Sequence, residues 1–208
     1  MATEEIGMTT SKRSRWIVPL VAIIAALATG AASGLLVVLK GEQIGQSSHD
    51  HWLGNRGVGS TRADPWTRAI IARIGLLALN RSETIYFTRY RDSEGRAFRA
   101  DCAYEISGTD LPARWWSVTL YGADDFLPPN DDGAFSIDAT RTLRDASGRW
   151  RARISTTRDG AQNWISSRAA DSFDLSLRLY NPTPDALADE TTIPFPTLTR
   201  LSCEGDER

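Results

Sequence analysis

The sequence predicts a mainly β protein: an antiparallel β-sandwich with one N-terminal amphipathic helix, preceded by a single transmembrane helix. Two observations carry this prediction. Residues 16–39 contain no charged side chain, and from residue 83 onward apolar and polar residues alternate in short runs separated by turn residues. As a helix, the first segment is long enough to cross a bilayer core, and the second pattern is typical of strands with one buried face.

The apolar segment has two interpretations, an uncleaved anchor and a cleaved signal peptide. Ala31, Ala32 and Ser33 are small enough for a signal peptidase site. Apolar residues nevertheless resume at 35–39, whereas the apolar part of a signal peptide is short and ends at its cleavage site. The pattern therefore favours an anchor.

Charged residues around the segment predict its orientation and four regions. Lys12, Arg13 and Arg15 precede the segment and only Lys40 lies close behind it, so the N-terminus is expected on the cytoplasmic side. Beyond Lys40, 20 cationic side chains stand against 24 acidic ones, a net charge of about −4 that argues against binding nucleic acid. The predicted regions are a cytoplasmic tail at 1–15, the transmembrane helix at 16–39, a linker at 40–63 and an extracytoplasmic domain at 64–204.

The outer domain is predicted to begin with a helix. Residues 40–63 are rich in Gly and Ser and have no apolar period, which is typical of a linker. Asp64 followed by Pro65 then forms a helix start, with the helix running to about Asn80. Its expected buried stripe is Trp66, Ile70, Ile74 and Leu77.

Strands are predicted in the rest of the domain, at 84–90, 98–106, 115–121, 148–156, 173–180 and 197–203. In the last strand, alternation puts Thr199, Leu201 and Cys203 on one side. Both cysteines, Cys102 and Cys203, then fall on buried faces, so we expect a disulfide bond that joins the two sheets of the sandwich. Two buried free thiols are the alternative.

Four segments carry a family resemblance: ADPWTRA at 63–69, GLLAL at 75–79, LPARWWSVTLY at 111–121 and NW at 163–164. Together they resemble the bacterial domain-of-unknown-function family 1214, from about residue 52 to 203. The resemblance implies a jelly-roll-like β-sandwich from a bacterium, and it brings no established reaction and no catalytic residues. Ile165 and Ser166 stand where the family pattern usually has Leu-Pro. With the orientation above, the expected location is the inner membrane, with a periplasmic domain in the cell envelope.

Aromatic and Arg residues form the candidate binding site. Trp115 and Trp116 are adjacent in a strand, so their indoles must point to opposite faces, one into the core. The other indole, beside an Arg, is either ordinary packing, which the usual burial of Trp favours, or a platform for a glycan, a lipid or a partner protein. The candidate ligand-binding residues are Arg114, Trp115, Trp116, Asn163, Trp164, Arg178 and Tyr180.

Other motifs point only weakly to chemistry. Asp124, Asp125, Asp131 and Asp132 would suit glycoside hydrolysis or calcium binding, but acids beside Pro, Asn and Gly are typical of turns. The only two histidines, at 49 and 51, fall in the predicted linker, and we expect neither a metal site nor a cofactor. The sequence therefore favours a noncatalytic binding or structural module of the cell envelope, with a carbohydrate-processing hydrolase as the alternative.

Overall fold

The structure, a computed structural model, describes residues 14–40, 46–73, 76 and 78–204. These residues fall into two compact units that divide after Glu42. The first unit contains helix α1 (Ser14–Lys40). Between Trp16 and Leu39 it is long and apolar enough to cross a membrane, a criterion that an N-terminal signal sequence also meets. The predicted flanking cations Lys12 and Arg13 lie outside the described residues, and so do most of the predicted tail and the side chains of Arg15 and Lys40.

Two β-sheets make up most of the second unit. Its strands are β1 (Gln46–His49), β2 (Trp52–Asn55), β3 (Thr84–Arg89), β4 (Cys102–Gly108), β5 (Ala113–Gly122), β6 (Ser136–Asp138), β7 (Trp150–Ser155), β8 (Trp164–Ser166), β9 (Phe173–Pro182) and β10 (Thr197–Cys203). Helix α2 (Pro65–Arg73), helix α3 (Pro184–Ala188) and a 3₁₀ turn (Glu190–Thr192) complete it. The six-stranded sheet has the order β1-β2-β3-β9-β5-β6 and the four-stranded sheet the order β10-β4-β7-β8. All neighbouring strands are antiparallel except β7 and β8, which are parallel.

One hydrophobic core is shared by the two sheets, as the alternating pattern predicts. Leu175, Leu177 and Leu179 of β9 are fully buried from the six-stranded side, and Ile106 and Ile154 are fully buried from the four-stranded side. Since successive residues of a strand point to opposite faces, the residues of β9 between these leucines lie on the outer face of its sheet. The prediction of a mainly β fold is confirmed.

The predicted disulfide bond between Cys102 and Cys203 is present, but it does not join the two sheets. The two cysteines face each other on β4 and β10, which are neighbours in the four-stranded sheet. A β-bulge between Arg200 and Ser202 changes the alternation of the last strand, so Leu198 is buried and Leu201 is half exposed. Simple alternation was therefore wrong for Leu201, which it placed on the buried side. It was right for Cys203, because the extra residue of the bulge brings Leu198 and Cys203 to the same face.

Helix α2 begins as predicted and ends early. The side chain of Asp64 accepts hydrogen bonds from the backbone N–H groups of Trp66 and Thr67, at 2.9 and 3.0 Å, which is the geometry of an N-cap. The helix ends at Arg73 rather than near residue 80, and none of its residues is buried. Trp66, expected in the buried stripe, is 49% exposed. Ile70 is half-buried, and the remaining two expected stripe residues, Ile74 and Leu77, lie outside the described residues.

The predicted linker contains a hairpin. Strands β1 and β2 pair with each other, and β2 pairs with β3, so residues 46–55 extend the six-stranded sheet. Trp52 anchors this hairpin: it is fully buried, and its indole N–H donates to the carbonyl oxygen of Pro196 at 2.9 Å. The interpretation of these residues as a linker was therefore wrong, since one buried Trp can fix a short polar hairpin that has no apolar period.

Candidate ligand-binding face of the six-stranded sheet

The outer face of the six-stranded sheet carries polar and aromatic side chains in cross-strand rows. Strands β5 and β9 pair in a register that sets Trp115 beside Tyr180, Thr119 beside Ser176 and Tyr121 beside Asp174. On the other side of β9, Thr88 of β3 is level with Ser176. Because partners in register share a face, these residues form an ordered array on one surface.

Small hydroxyl side chains occupy the middle row of this array. Ser176 and Thr119 are 8% and 9% exposed, and longer side chains stand in the rows on both sides. Because the neighbouring side chains are longer, this row of small side chains lies lower than the rows on both sides. We call it the hydroxyl groove, with a floor of Thr88, Ser176 and Thr119.

Arg178 lies across the floor of the hydroxyl groove. Its Nη1 donates to the Oγ1 of Thr119 at 3.3 Å and its Nη2 to the hydroxyl of Tyr121 at 2.9 Å. Its guanidinium carbon is also 5.3 Å from the centre of the Tyr121 ring, a cation–π distance. An arginine has five N–H donors, so these two bonds leave donors that could serve a ligand.

An aromatic pair lies at one end of the face. The ring centres of Trp115 and Tyr180 are 5.2 Å apart, with the ring planes tilted by 59°. The indole N–H of Trp115 donates to the Oγ1 of Thr140 at 3.0 Å, which holds the ring in place. Both rings are half-buried, so part of each remains accessible to a ligand.

The structure separates the other candidate site residues from this face. Trp116 points into the core, where it stacks on Trp150 with ring centres 5.0 Å apart. By alternation, Arg114 lies on the face opposite to Trp115. Trp164 belongs to β8 of the four-stranded sheet, and Asn163 immediately precedes that strand. Of the predicted set, the structure brings together Trp115, Arg178 and Tyr180.

Asp174 lies at the other end of the face and is nine-tenths buried. Its carboxylate accepts no hydrogen bond and forms no ion pair within the described part of the chain. The pKa of Asp174 is raised to about 7, chiefly by burial and also by the negative charge of Asp125, while the positive charge of Arg178 acts in the opposite direction. The same end includes Tyr90, which is 40% exposed; its pKa is raised to about 12 by partial burial and by the charges of the two acids, against the opposing positive charge of Arg73.

Asp174 predicts an unusual dependence of stability on pH. The pKa of Asp174 is about 7 in the folded chain and 3.8 ordinarily, so the folded state holds the proton more tightly than the unfolded state. Its contribution to the free energy of unfolding is therefore full below pH 3.8 and is lost as the pH rises through 7. We expect the original chain to lose on the order of 4 kcal/mol of stability between pH 4 and pH 8, and the Asp174→Asn variant, which cannot ionise, to avoid this loss. Urea unfolding of the full chain in detergent across that range measures this difference.

The control for this prediction is Asp124→Asn. Asp124 is an exposed acid whose Oδ1 accepts the N–H of Phe126 at 3.1 Å, a bond that an Asn side chain can also accept. This variant should keep the pH dependence of the original chain. If Asp174→Asn keeps it as well, the assignment of the buried titrating group is wrong.

The loop acids predicted for catalysis or calcium binding take separate roles. Asp124 caps a turn, and Asp132 forms an ion pair with Arg168 at 2.5 Å while it accepts the hydroxyl of Ser166 at 2.6 Å. Asp125 has a positive φ of 65° and lies near Asp174. Within the described residues, no group of three or more His, Cys, Asp and Glu could hold a metal ion.

A second polar cluster surrounds Glu190, which is only 1% exposed. Its carboxylate accepts the hydroxyl of Ser47 at 2.5 Å and an N–H of Arg81 at 2.9 Å, and it lies 3.3 Å from the ring of His49 and 3.4 Å from Arg56. Burial opposes its ionisation, but the bonds from Ser47 and Arg81 prevail and leave the pKa of Glu190 below its ordinary value. We call these five residues the Glu190 cluster.

The Glu190 cluster corrects the prediction for His49. Its side chain is 22% exposed and its ring stacks on Phe195, with ring centres 5.3 Å apart. It is therefore part of the folded unit and not a solvated linker residue. His51, two residues further on, is exposed, as predicted.

Sequence reasoning missed Asp174, Tyr121, Thr119 and Tyr90 as members of the face. A signal was present in β9, where Asp174, Ser176, Arg178 and Tyr180 are the residues between buried positions. That pattern identifies the outer face but not the strands beside it. The register of β9 with β5 and β3 decides which side chains meet, and it cannot be inferred from either strand alone.

The fold defines a class of protein: a mainly β domain of two sheets in a chain with an apolar N-terminal helix. The family described as "Protein of unknown function (DUF1214)" matches residues 83–184. The match confirms the resemblance over these residues, which make up just under half of the chain. The match does not extend to the resembling segments at 63–69 and 75–79. We found no match among curated proteins.

Two crystal structures resemble this chain. The VPA0106 protein from Vibrio parahaemolyticus is 19% identical with a TM-score of 0.59, and the similarity covers 96% of this chain and 48% of that one. This chain thus spans about half the length of that protein, and at such identity the likeness shows the fold alone. A putative uncharacterized protein from Burkholderia cenocepacia is 16% identical with a TM-score of 0.45, over 57% of this chain and 30% of that one.

Proposed function

We propose that this chain is a single-pass protein of the bacterial inner membrane, with its N-terminus in the cytoplasm and a jelly-roll-like domain in the periplasm. The uncharged helix supports the anchor, and the cations at 12–15 support the orientation. The disulfide between Cys102 and Cys203 supports an oxidising compartment for the domain, since such bonds are rare in the cytosol.

The domain's function, in this proposal, is noncatalytic binding of an envelope glycan in the hydroxyl groove. The observation that carries it is the array on the outer face: an aromatic pair at one end, a guanidinium across the floor and an acceptor carboxylate at the other end. Sugar hydroxyls both donate and accept hydrogen bonds, so they can pair with Arg178, Asp174 and the floor hydroxyls. The apolar face of a sugar ring can pack on Trp115, as aromatic side chains do in many binding sites.

Replacing Trp115 by Ala tests the proposal. We expect at least a tenfold loss of affinity, because a central aromatic side chain often contributes about 2 kcal/mol to binding. The full chain in nanodiscs is applied to an array of defined peptidoglycan fragments, lipopolysaccharide core oligosaccharides and capsular polysaccharides. The matched control is Trp66→Ala, which removes an indole that is 49% exposed on α2. Unchanged binding by the Trp115 variant, or no binding by the original chain, would contradict the proposal.

The hydrolase alternative rests on one pair of acids. Asp125 and Asp174 interact electrostatically, and the pKa of Asp174 is raised to about 7 by burial and then by Asp125, as for the general acid of a glycosidase. Noncatalytic binding is better supported because two of the other loop acids have structural roles: Asp124 caps a turn and Asp132 forms an ion pair with Arg168. New reducing ends on the bound glycans, lost in Asp174→Asn, would establish the alternative. Intact glycans after prolonged incubation would exclude it.

A further inference from the structure

Asp174 has a buried carboxylate that the described residues leave without a partner. It is nine-tenths buried, and no described side chain or backbone N–H donates to it. Arg178, the cation whose charge acts on it, donates to Thr119 and Tyr121 instead. The carboxylate keeps only a small contact with water and has no donor, so this position favours a ligand that supplies positive charge or protons.

A second carboxylate faces the same place. Asp125 follows β5 and has a φ of 65°, in the left-handed region, while its backbone N–H donates to the carbonyl oxygen of Gly122 at 3.0 Å. Gly122 is level with Phe173, the neighbour of Asp174, and Tyr90 follows Arg89, which is level with Leu175, so the three groups lie at the same end of the sheet. The charge of Asp125 acts on both Asp174 and Tyr90, and the positive charge of Arg73 acts on Tyr90 in the opposite direction. Two neighbouring carboxylates repel each other, and a cation between them would remove that repulsion.

We propose that Asp174, Asp125 and Tyr90 form a subsite for a primary ammonium group. An ammonium group has three N–H donors, which two carboxylates and a phenol oxygen can accept, and the face of a tyrosine ring also attracts cations. Calcium is a poorer fit because it takes six to eight oxygen ligands. The inference rests on the proposed function: within the hydroxyl groove, the ammonium group would belong to a glycan with a free amine, and Arg178 would contact its hydroxyls.

Matched probes test this subsite. The full chain in phosphatidylcholine nanodiscs, whose lipid has no primary amine and no net charge, is titrated at pH 7 with a β-1,4-linked glucosamine tetramer and with the N-acetylated tetramer of the same length. We expect the free-amine tetramer to bind about tenfold more tightly, which corresponds to one favourable charge interaction. Asp125→Asn should remove this preference, because it removes one of the two carboxylates that would bind the ammonium group. The variant should still fold, because Asn tolerates a positive φ. Asp124→Asn changes the charge by the same amount next to the site and should keep the preference.

The results separate the subsite from the groove. Equal affinity for both tetramers, with both lost in Trp115→Ala, would overturn the ammonium subsite and leave glycan binding intact. No binding of either tetramer, together with no binding on the glycan array, would overturn both proposals. A free-amine preference that persists in Asp125→Asn and Asp174→Asn would also overturn the subsite, because the amine would then bind elsewhere.

Discussion

Replacing Cys102 and Cys203 together by Ala is expected to lower the free energy of unfolding by about 2–5 kcal/mol. The two residues are 101 positions apart in the sequence, so their bond closes most of the folded unit into one loop. In the chain-entropy account, a loop near that length restricts the unfolded chain by up to about 4.7 kcal/mol. The bond joins β10 to β4, so its loss should also favour separation of the last strand from the edge of its sheet.

Urea unfolding of the full chain in detergent, followed by tryptophan fluorescence, measures this loss. Intact mass after alkylation is the companion measurement: the original chain should gain no alkyl groups at these sulfurs until it is reduced. The double variant is compared with the original chain before and after reduction. A reductant should lower the unfolding midpoint of the original chain, which has the bond, and leave that of the double variant unchanged. Equal unfolding midpoints for the oxidised chain and the variant would show that the bond does not stabilise the fold.

The parts of the fold that could be predicted follow from local periodicity. The alternation in β9 is complete, and its leucines are fully buried. The placement of Cys102 and Cys203 on buried faces followed from the same rule, although the bulge in β10 made part of that strand's assignment wrong. A bulge inserts one residue without any composition signal, so alternation alone cannot locate it.

The parts that could not be predicted depend on contacts between distant segments. The hairpin at 46–55 is held by one buried indole, that of Trp52, and its sequence shows no strand period. Asp174 has the polar position of any outward strand residue, yet it is nine-tenths buried beside Tyr121 of β5. Sequence alternation gives the direction in which a side chain points, whereas the tertiary fold decides what covers it.

Glu190 shows the same limit most clearly, because nothing near it in sequence indicates burial. Its carboxylate joins the β1 hairpin, through Ser47 and His49, to Arg81 just before β3. We expect Glu190→Ala to lower the free energy of unfolding by about 3–5 kcal/mol, the usual cost of removing one partner of a buried ion pair. In that variant Arg81, whose side chain is only 20% exposed, would keep its positive charge but lose the carboxylate of Glu190 as its partner.

Two further variants isolate the charge of Glu190 from its packing. Glu190→Gln keeps a carbonyl acceptor of similar size and loses the charge, so it should cost less than Ala. Glu83→Ala removes an exposed acid close to Arg81 in the sequence and should change stability by less than about 0.5 kcal/mol. Unfolding midpoints of the full chain in detergent compare all three variants. A Glu190→Ala midpoint equal to that of Glu83→Ala would show that the cluster does not stabilise the hairpin.

The pH dependence of the Glu190 effect should be opposite to that of Asp174. Burial would raise the pKa of Glu190, but the hydrogen bonds from Ser47 and Arg81 lower it below the ordinary 4.5. Its ionised form is therefore favoured by folding, and its contribution is full above pH 4.5 and lost as the pH falls through the lower folded-state pKa. The difference between the original chain and Glu190→Gln should shrink in acid, whereas the Asp174→Asn difference should grow between pH 4 and pH 8. Because two buried acids of one fold shift in opposite directions, the donors around each carboxylate decide its charge, and burial alone does not.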